Sequence, residues 1–162
     1  MLELLSPAGS MEAVAAAVQN GADAVYLGYG DFNARRNAKN FSREEFAAAV
    51  SYCHLRGAKV YLTLNTLLQN RELALAAETG ALAARLGIDA ILVQDLGVAK
   101  LLRETCPDVP LHASTQMTLS SPDGLEFASG FLDLKQAVLA RELSLKEIGQ
   151  CVRHTDLSLI HI

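Results

Sequence analysis

The sequence predicts an α/β fold, a (β/α)8 barrel of the TIM type truncated after about six βα units. Three observations predict it. Short, near-continuous apolar runs such as Ala90-Ile-Leu-Val93 alternate with longer amphipathic stretches. Such runs mark parallel strands buried on both faces. A helix-stop-to-strand device recurs at Gly21-Ala-Asp-Ala-Val25, at Gly87-Ile-Asp-Ala-Ile91 and, more loosely, at Gly57-Ala-Lys-Val60. Right-handed crossovers then leave an open doubly wound sheet or a closed barrel. The third observation favours the barrel. Nearly every strand ends in polar residues, as strands do on the catalytic face of such barrels. Neither Ser6-Pro7-Ala8-Gly9-Ser10 nor Gly28-Tyr29-Gly30 is a dinucleotide fingerprint opening a helix.

The elements follow in order. Leu2–Leu5 is the first strand candidate. Ser10 caps a helix over Met11–Asn20, which Gly21 stops. Ala24–Leu27 is the second strand. Ser42 and Glu45 form a capping box that opens a helix through Phe46, Val50 and Cys53 to Gly57. Lys59–Asn65 is the third strand, rich in β-branched and aromatic residues. Asn70 caps a helix over Arg71–Leu86, closed by Gly87. Ala90–Gln94 is the fourth strand, followed by a helix over Gly97–Thr105 that Pro107 stops. Leu111–Gln116 is the fifth. Ser121 with Pro122 at the first helical position opens a helix over Asp123–Phe131. Gln136–Arg141 is the sixth strand, and Ser144 with Glu147 repeats the capping box before Leu145–Arg153.

Composition excludes several classes. The chain has 162 residues, 51% hydrophobic and 20% charged, with a net charge of -4. A disordered chain has fewer apolar residues and more net charge. With 11 glycines the chain is not collagen-like. Polar residues interrupt every apolar run well short of the ~18 residues of a membrane span, so no membrane partner is expected. Met1–Ser10 shows no secretory signal. Cys53, Cys106 and Cys151 form no CxxC pair, so neither a disulfide framework nor a zinc site is encoded, and a cytoplasmic location fits best. The acidic balance argues against a general nucleic-acid-binding surface, although Arg35 and Arg36 leave a local basic site open.

A full barrel needs eight units and roughly 250 residues. Six strands do not close, so the first and sixth would expose unpaired backbone and favour aggregation. The last six residues, Leu157-Ser-Leu-Ile-His-Ile162, match one reading frame of a widely used transposon sequencing adapter. The expected organisation is therefore a partial barrel over 1–156 and a non-native tail over 157–162. The alternative for that tail is a genuine seventh strand, since its apolar residues alternate.

Residues two apart on a strand share a face. That places His112, Ser114 and Gln116 together, and Thr63 with Asn65. Gln94 and Asp95 end the fourth strand, Arg141 and Glu142 the sixth, and the loop after the second carries Arg35 and Arg36. On a closed barrel these groups converge on one rim, in a polar pocket with two or more cations. Such a pocket suits a small anionic or carboxylate-bearing molecule. His112, Ser114, Gln116 and Glu142 are the candidates for catalysis, and Asn65, Arg35, Arg141 and Asp95 for substrate binding. No H-E-x-x-H or carboxylate cluster is present, so no metal ligands are assigned. Ser114 lacks the G-x-S-x-G setting of a nucleophile elbow. Each site residue also has a structural reading, such as a satisfied core histidine for His112 or an ion pair for Arg141 and Glu142.

The motifs Glu3-Leu-Leu-Ser-Pro-Ala-Gly-Ser10, Gly21-Ala-Asp-Ala-Val-Tyr-Leu-Gly28, Phe32-Asn-Ala-Arg35 and Asn40-Phe41 open an ordered series. Tyr61-Leu-Thr-Leu-Asn65, Val93-Gln-Asp-Leu-Gly97, His112-Ala-Ser-Thr-Gln-Met117 and Ala140-Arg-Glu-Leu-Ser144 complete it. Together they resemble the collagenase-like peptidase family U thirty-two over essentially Leu2–Arg153. The resemblance implies a (β/α)8-type catalytic domain. It also implies one of two activities: a peptidase, as the family name says, or an oxygen-independent hydroxylase. Hydroxylases of the family act on transfer RNA or ribosomal RNA, with a prephenate-like oxygen donor, or on a ubiquinone precursor. It further implies a [4Fe-4S] cluster on four cysteines that lie beyond this segment; Cys53, Cys106 and Cys151 do not match them. The expectation is that this segment holds no cofactor while the longer parent binds the cluster. RNA would be contacted through regions outside this segment. Arg35 and Arg141 would hold carboxylates of the donor. A non-catalytic anion-binding barrel is the remaining alternative.

Overall fold

Caps and stops in the sequence cut the chain into regular alternation. The computed structural model describes residues 3–30, 32–33 and 40–161. Its strands are β1 (Leu5–Pro7), β2 (Ala24–Gly28), β3 (Lys59–Leu64), β4 (Ala90–Val93), β5 (Leu111–Ala113), β6 (Leu134–Val138) and β7 (Ser158–Ile160). Its helices are α1 (Met11–Gln19), α2 (Arg43–His54), α3 (Leu73–Arg85), α4 (Leu96–Thr105), α5 (Pro122–Leu132) and α6 (Leu145–His154). One-turn 3-10 helices occupy Asn70–Glu72 and Thr115–Met117. All seven strands are parallel and lie in sequence order, β1 to β7. A doubly wound sheet reverses its order midway. This one does not, and it curls as a barrel does.

The two faces of the sheet have different jobs. Outward-pointing Val25, Leu27, Val60, Leu62, Ile91, Val93 and Leu111 are buried under the helices, against Val14, Phe46, Leu102 and Leu125. Inward-pointing Ala24, Tyr61, Ala90 and Leu92 form a separate cluster with Leu5 and Tyr26. That division is the two-residue period of a strand covered on both sides. Gly80 lets α3 and α4 come together: a Cβ there would stand 2.4 Å from Leu102 Cδ2.

The repeated Gly-x-Asp-Ala device has a physical meaning. Asp23 donates its N–H to Leu4 O (2.9 Å), and its carboxylate accepts the Leu4 N–H (2.8 Å). Asp89 does the same to Val60, at 3.0 and 2.7 Å. Each aspartate thus clamps the foot of the preceding strand by both of its backbone groups. Capping boxes form at Ser42/Glu45 and Ser144/Glu147, and Ser121 accepts from Gly124 N with Pro122 beside it.

Several boundaries differ from the sequence expectation. β1 starts three residues later than Leu2, because Leu4 is taken up by the Asp23 clamp and Pro7 is still paired with Tyr26. Asn70 caps nothing. Gln69 and Glu72 form the reciprocal pair, and a 3-10 turn precedes α3. β5 ends at Ala113, because the Ser114 hydroxyl accepts the Gln116 N–H and starts a turn. β6 starts at Leu134 and ends at Val138, so Arg141 and Glu142 lie in the turn beyond it.

The sheet also has seven strands, not six. Ser158, Leu159 and Ile160 pair with Gln136, Ala137 and Val138. Gln136 Nε2 donates to Ser158 Oγ (2.9 Å), and Leu139 N donates to Ile160 O (2.8 Å). Alternation explains the fit: Leu159 packs with the helix-side core, and Ile160 faces the interior cavity. The sheet edges are therefore β1 and β7.

Candidate functional site

A cavity of about 430 Å³ opens at the C-terminal ends of the strands. Its floor is apolar, built by the inward residues Leu5, Tyr26, Leu92, Val138 and Ile160 from five strands. Its wall is polar: Thr63, Asn65, Ser114, Gln116 and Thr118, with Arg141 and Glu142 at the mouth. A concave pocket that sets an apolar floor against placed polar groups is suited to a small molecule.

The wall is organised around Ser114. Its hydroxyl accepts from Asn65 Nδ2 (2.9 Å) and Gln116 N (3.3 Å), while its own N–H donates to Val93 O (2.8 Å). Asn65 and Ser114 are both buried. Thr63 Oγ1 donates to Leu27 O (3.0 Å). The short turn after Ser114 ends at Thr118, whose φ of 58° is left-handed. A β-branched residue is rarely found there, and such outliers gather at functional sites.

Arg141 and Glu142 are held differently. Ala140 N donates to Leu119 O (2.9 Å), which fixes the turn that carries them. Their own side chains are exposed and make no ion pair or hydrogen bond among the described residues. The mouth thus presents a free guanidinium beside a free carboxylate.

The structure brings together Asn65, Ser114, Gln116, Arg141 and Glu142 from the residues the sequence singled out. It places two others, His112 and Asp95, elsewhere. His112 lies one layer down, with its ring edge-on to Tyr61 (centroids 4.9 Å, 73°). Its Nδ1 is buried with no hydrogen-bond partner. Burial pushes its pKa down to about 4, and the weaker pull of Glu3 does not reverse that. His112 is therefore neutral near pH 7. Asp95 is the N-cap of α4: Oδ1 accepts from Gly97 N (2.8 Å) and Val98 N (3.1 Å), and Oδ2 accepts from Leu68 N (3.3 Å). Its carboxylate orders two loops below the mouth. Arg35 lies outside the described residues. On either side of residues 34–39, Asn33 Nδ2 donates to Asn40 Oδ1 and to Gly30 O, both at 3.1 Å.

Some lining residues were missed in the sequence. The floor positions Tyr26, Leu92, Val138 and Ile160 carry no polar signal, although strand alternation places them inward. Thr118 had no signal, because its strained backbone is set by the turn.

The geometry restricts the chemistry. A serine nucleophile needs a base within hydrogen-bond reach. Ser114 Oγ is occupied by two N–H donors, and His112 Nδ1 touches no polar partner. Among the described residues no serine–histidine relay is assembled. Among the described residues, no three His, Cys, Asp or Glu side chains gather as metal ligands. Cys53 lies in α2, Cys106 ends α4 and Cys151 lies in α6, all buried. Burial pushes the Cys53 thiol up to about 11. These three cysteines do not fit an iron–sulfur cluster, which needs converging thiolates. No helix among the described residues is long and apolar enough to cross a membrane.

With the site defined, comparison adds relatives. The sequence model of Peptidase family U32 matches residues 9–160. The 23S rRNA 5-hydroxycytidine synthase of Escherichia coli is 40% identical over 158 residues, which is 98% of this chain and 23% of that protein. A tRNA hydroxylation protein P of Helicobacter pylori is 40% identical over 164 residues, covering 98% of this chain and 38% of its own length. A collagenase of Porphyromonas gingivalis is 36% identical over 147 residues, covering 90% and 34%. The solved structure of a U32 peptidase superposes with a TM-score of 0.81 at 14% identity, over 99% of this chain and 68% of that one. The chain thus spans about a quarter to two fifths of the length of these curated relatives.

Proposed function

The chain belongs to Peptidase family U32, and from that premise we propose that it is the barrel part of a longer RNA hydroxylase. In this reading the longer enzyme hydroxylates tRNA or rRNA without molecular oxygen, and a small anionic donor of the prephenate type occupies the cavity at the strand ends. The observation that carries the reading is the cavity itself: a free guanidinium at the mouth, above an apolar floor. An amphipathic carboxylate matches both parts. The relatives that modify rRNA and tRNA support the RNA substrate.

Each residue then has a task. Arg141 binds a donor carboxylate, and Arg35 is proposed to bind a second. Gln116 and Asn65 offer hydrogen bonds along the wall, and Ser114 positions Asn65. Among the described residues Glu142 is the carboxylate that lines the mouth, suited to accept a hydroxyl proton of the donor. His112 supports the floor from below through Tyr61. The [4Fe-4S] cluster is proposed for other parts of the longer protein, and no role in it falls to Cys53, Cys106 or Cys151. Their free thiols suit a cytoplasmic enzyme. Among the described residues no base lies within reach of Ser114, which weighs against the peptidase reading.

The test uses the longer protein with tRNA, rRNA and prephenate, followed by mass spectrometry of the nucleosides. The expected result is gain of one oxygen on a nucleoside, lost in Arg141→Ala. Cleavage of gelatin without any RNA oxidation would overturn the proposal in favour of a peptidase.

A further inference from the structure

A second groove, of about 470 Å³, lies outside the barrel along α3, with the start of α2 at Arg43 and the segment after β2 at one end. Phe32, Leu75 and Leu82 give it an apolar bed, and Arg43, Glu78 and Arg85 line it. All three charged side chains are exposed, and none has a hydrogen bond or ion pair among the described residues. Arg43 opens α2, where the helix dipole disfavours a cation. Helix stability therefore does not explain it.

Position gives the groove its meaning. Tyr29 and Gly30, just beyond the C-terminal end of β2, line its upper end, so it starts on the same face as the donor cavity. Arg43 stands at that upper end. Arg85, in the last turn of α3, stands at the lower end. Two guanidinium groups at opposite ends of an open groove match a row of phosphates better than one small anion. An apolar bed between them suits a base, and Glu78 suits an exocyclic amine of that base.

We propose that the groove along α3 holds a single-stranded stretch of the RNA substrate, with Arg43 and Arg85 on its phosphates. The proposal rests on the RNA reading above and adds a second contact to it. The RNA runs from the reacting nucleotide at the barrel mouth, over Tyr29 and Gly30, and down along α3. A chain of net charge -4 thereby binds RNA through a local strip.

The test measures binding of a fluorescent single-stranded RNA to the longer protein by anisotropy, across a series of KCl concentrations. In Arg43→Gln/Arg85→Gln the slope of log affinity against log salt should fall by about 1.4, as expected for two lost phosphate contacts on a single strand. Affinity at low salt should fall roughly tenfold. Prephenate binding should not change. The control is Lys100→Gln/Arg153→Gln, which removes the same charge from exposed sites elsewhere and should leave the slope intact. An unchanged slope in the first variant, or an equal fall in the control, overturns the groove. Failure of the wild-type protein to bind or oxidise any RNA overturns the RNA reading beneath it, a distinct result.

Discussion

The two ends of the barrel are built on opposite electrostatic principles. At the N-terminal foot, several charges are answered. Glu3 accepts from Lys59 Nζ (2.8 Å) and the Tyr61 hydroxyl (2.7 Å), Asp89 from Val60 N and His54, and Lys135 pairs with Asp133. Burial alone would raise the Glu3 carboxyl, but its hydrogen bonds from Lys59 and Tyr61 hold it below its ordinary value. Arg103 donates to four backbone carbonyls, those of Leu132, Pro107, Val109 and Asp133. At the mouth, Arg141 and Glu142 have no partner among the described residues and Thr118 is strained. Charges that satisfy one another stabilise a fold; charges left open are available to a ligand. In barrels generally the foot carries stability and the mouth the chemistry, and the function proposed above follows that division.

The comparison breaks most visibly at His112, which sits between the two ends. Its pKa is about 4 in the folded chain against 6.5 when free. The folded state therefore disfavours the proton. Stability is full above about pH 6.5 and falls as pH drops toward 4, by up to about 3 kcal/mol. His112→Phe should flatten that part of the urea-midpoint profile, because Phe keeps the ring on Tyr61 and cannot charge. A variant profile as steep as the wild type would contradict the placement.

The next effect is at the foot. Asp89→Ala leaves Val60 N without its side-chain acceptor and should cost about 2 kcal/mol in urea denaturation. A smaller effect is expected at Asp95. Removing that cap in Asp95→Ala should cost about 1 kcal/mol of stability. Prephenate affinity should stay within about twofold if the carboxylate only positions loops. A large affinity loss at unchanged stability would move Asp95 into the ligand site.

Much of this was legible in the sequence, for identifiable reasons. Ser10, Ser42, Ser121 and Ser144 announce helix starts because side-chain caps are local chemistry. Buried parallel strands are apolar on both faces, so Ala90–Val93 is evident. Depth inside the barrel is not local. His112 and Ser114 are two residues apart, yet one lies beneath the floor and the other on the wall. The pairing of Leu92 with His112, and the turn that starts at Ser114, decide that. Asp95 ends a strand and so resembles a rim ligand, but its place just before Leu96 is equally a cap signal. The tail was ambiguous because a three-residue strand carries little pattern. Its partner on β6 gives it a register.

The division between foot and mouth is tested most directly by crossing two variants in two assays. Prephenate affinity by calorimetry and the urea midpoint are measured for Arg141→Ala and for Asp89→Ala. Loss of a charge-assisted contact predicts about 10–100-fold weaker binding for Arg141→Ala, with stability within about 0.5 kcal/mol of wild type. Asp89→Ala should show the reverse, a lowered midpoint with affinity retained in the folded protein. Unchanged prephenate affinity in Arg141→Ala would contradict the account.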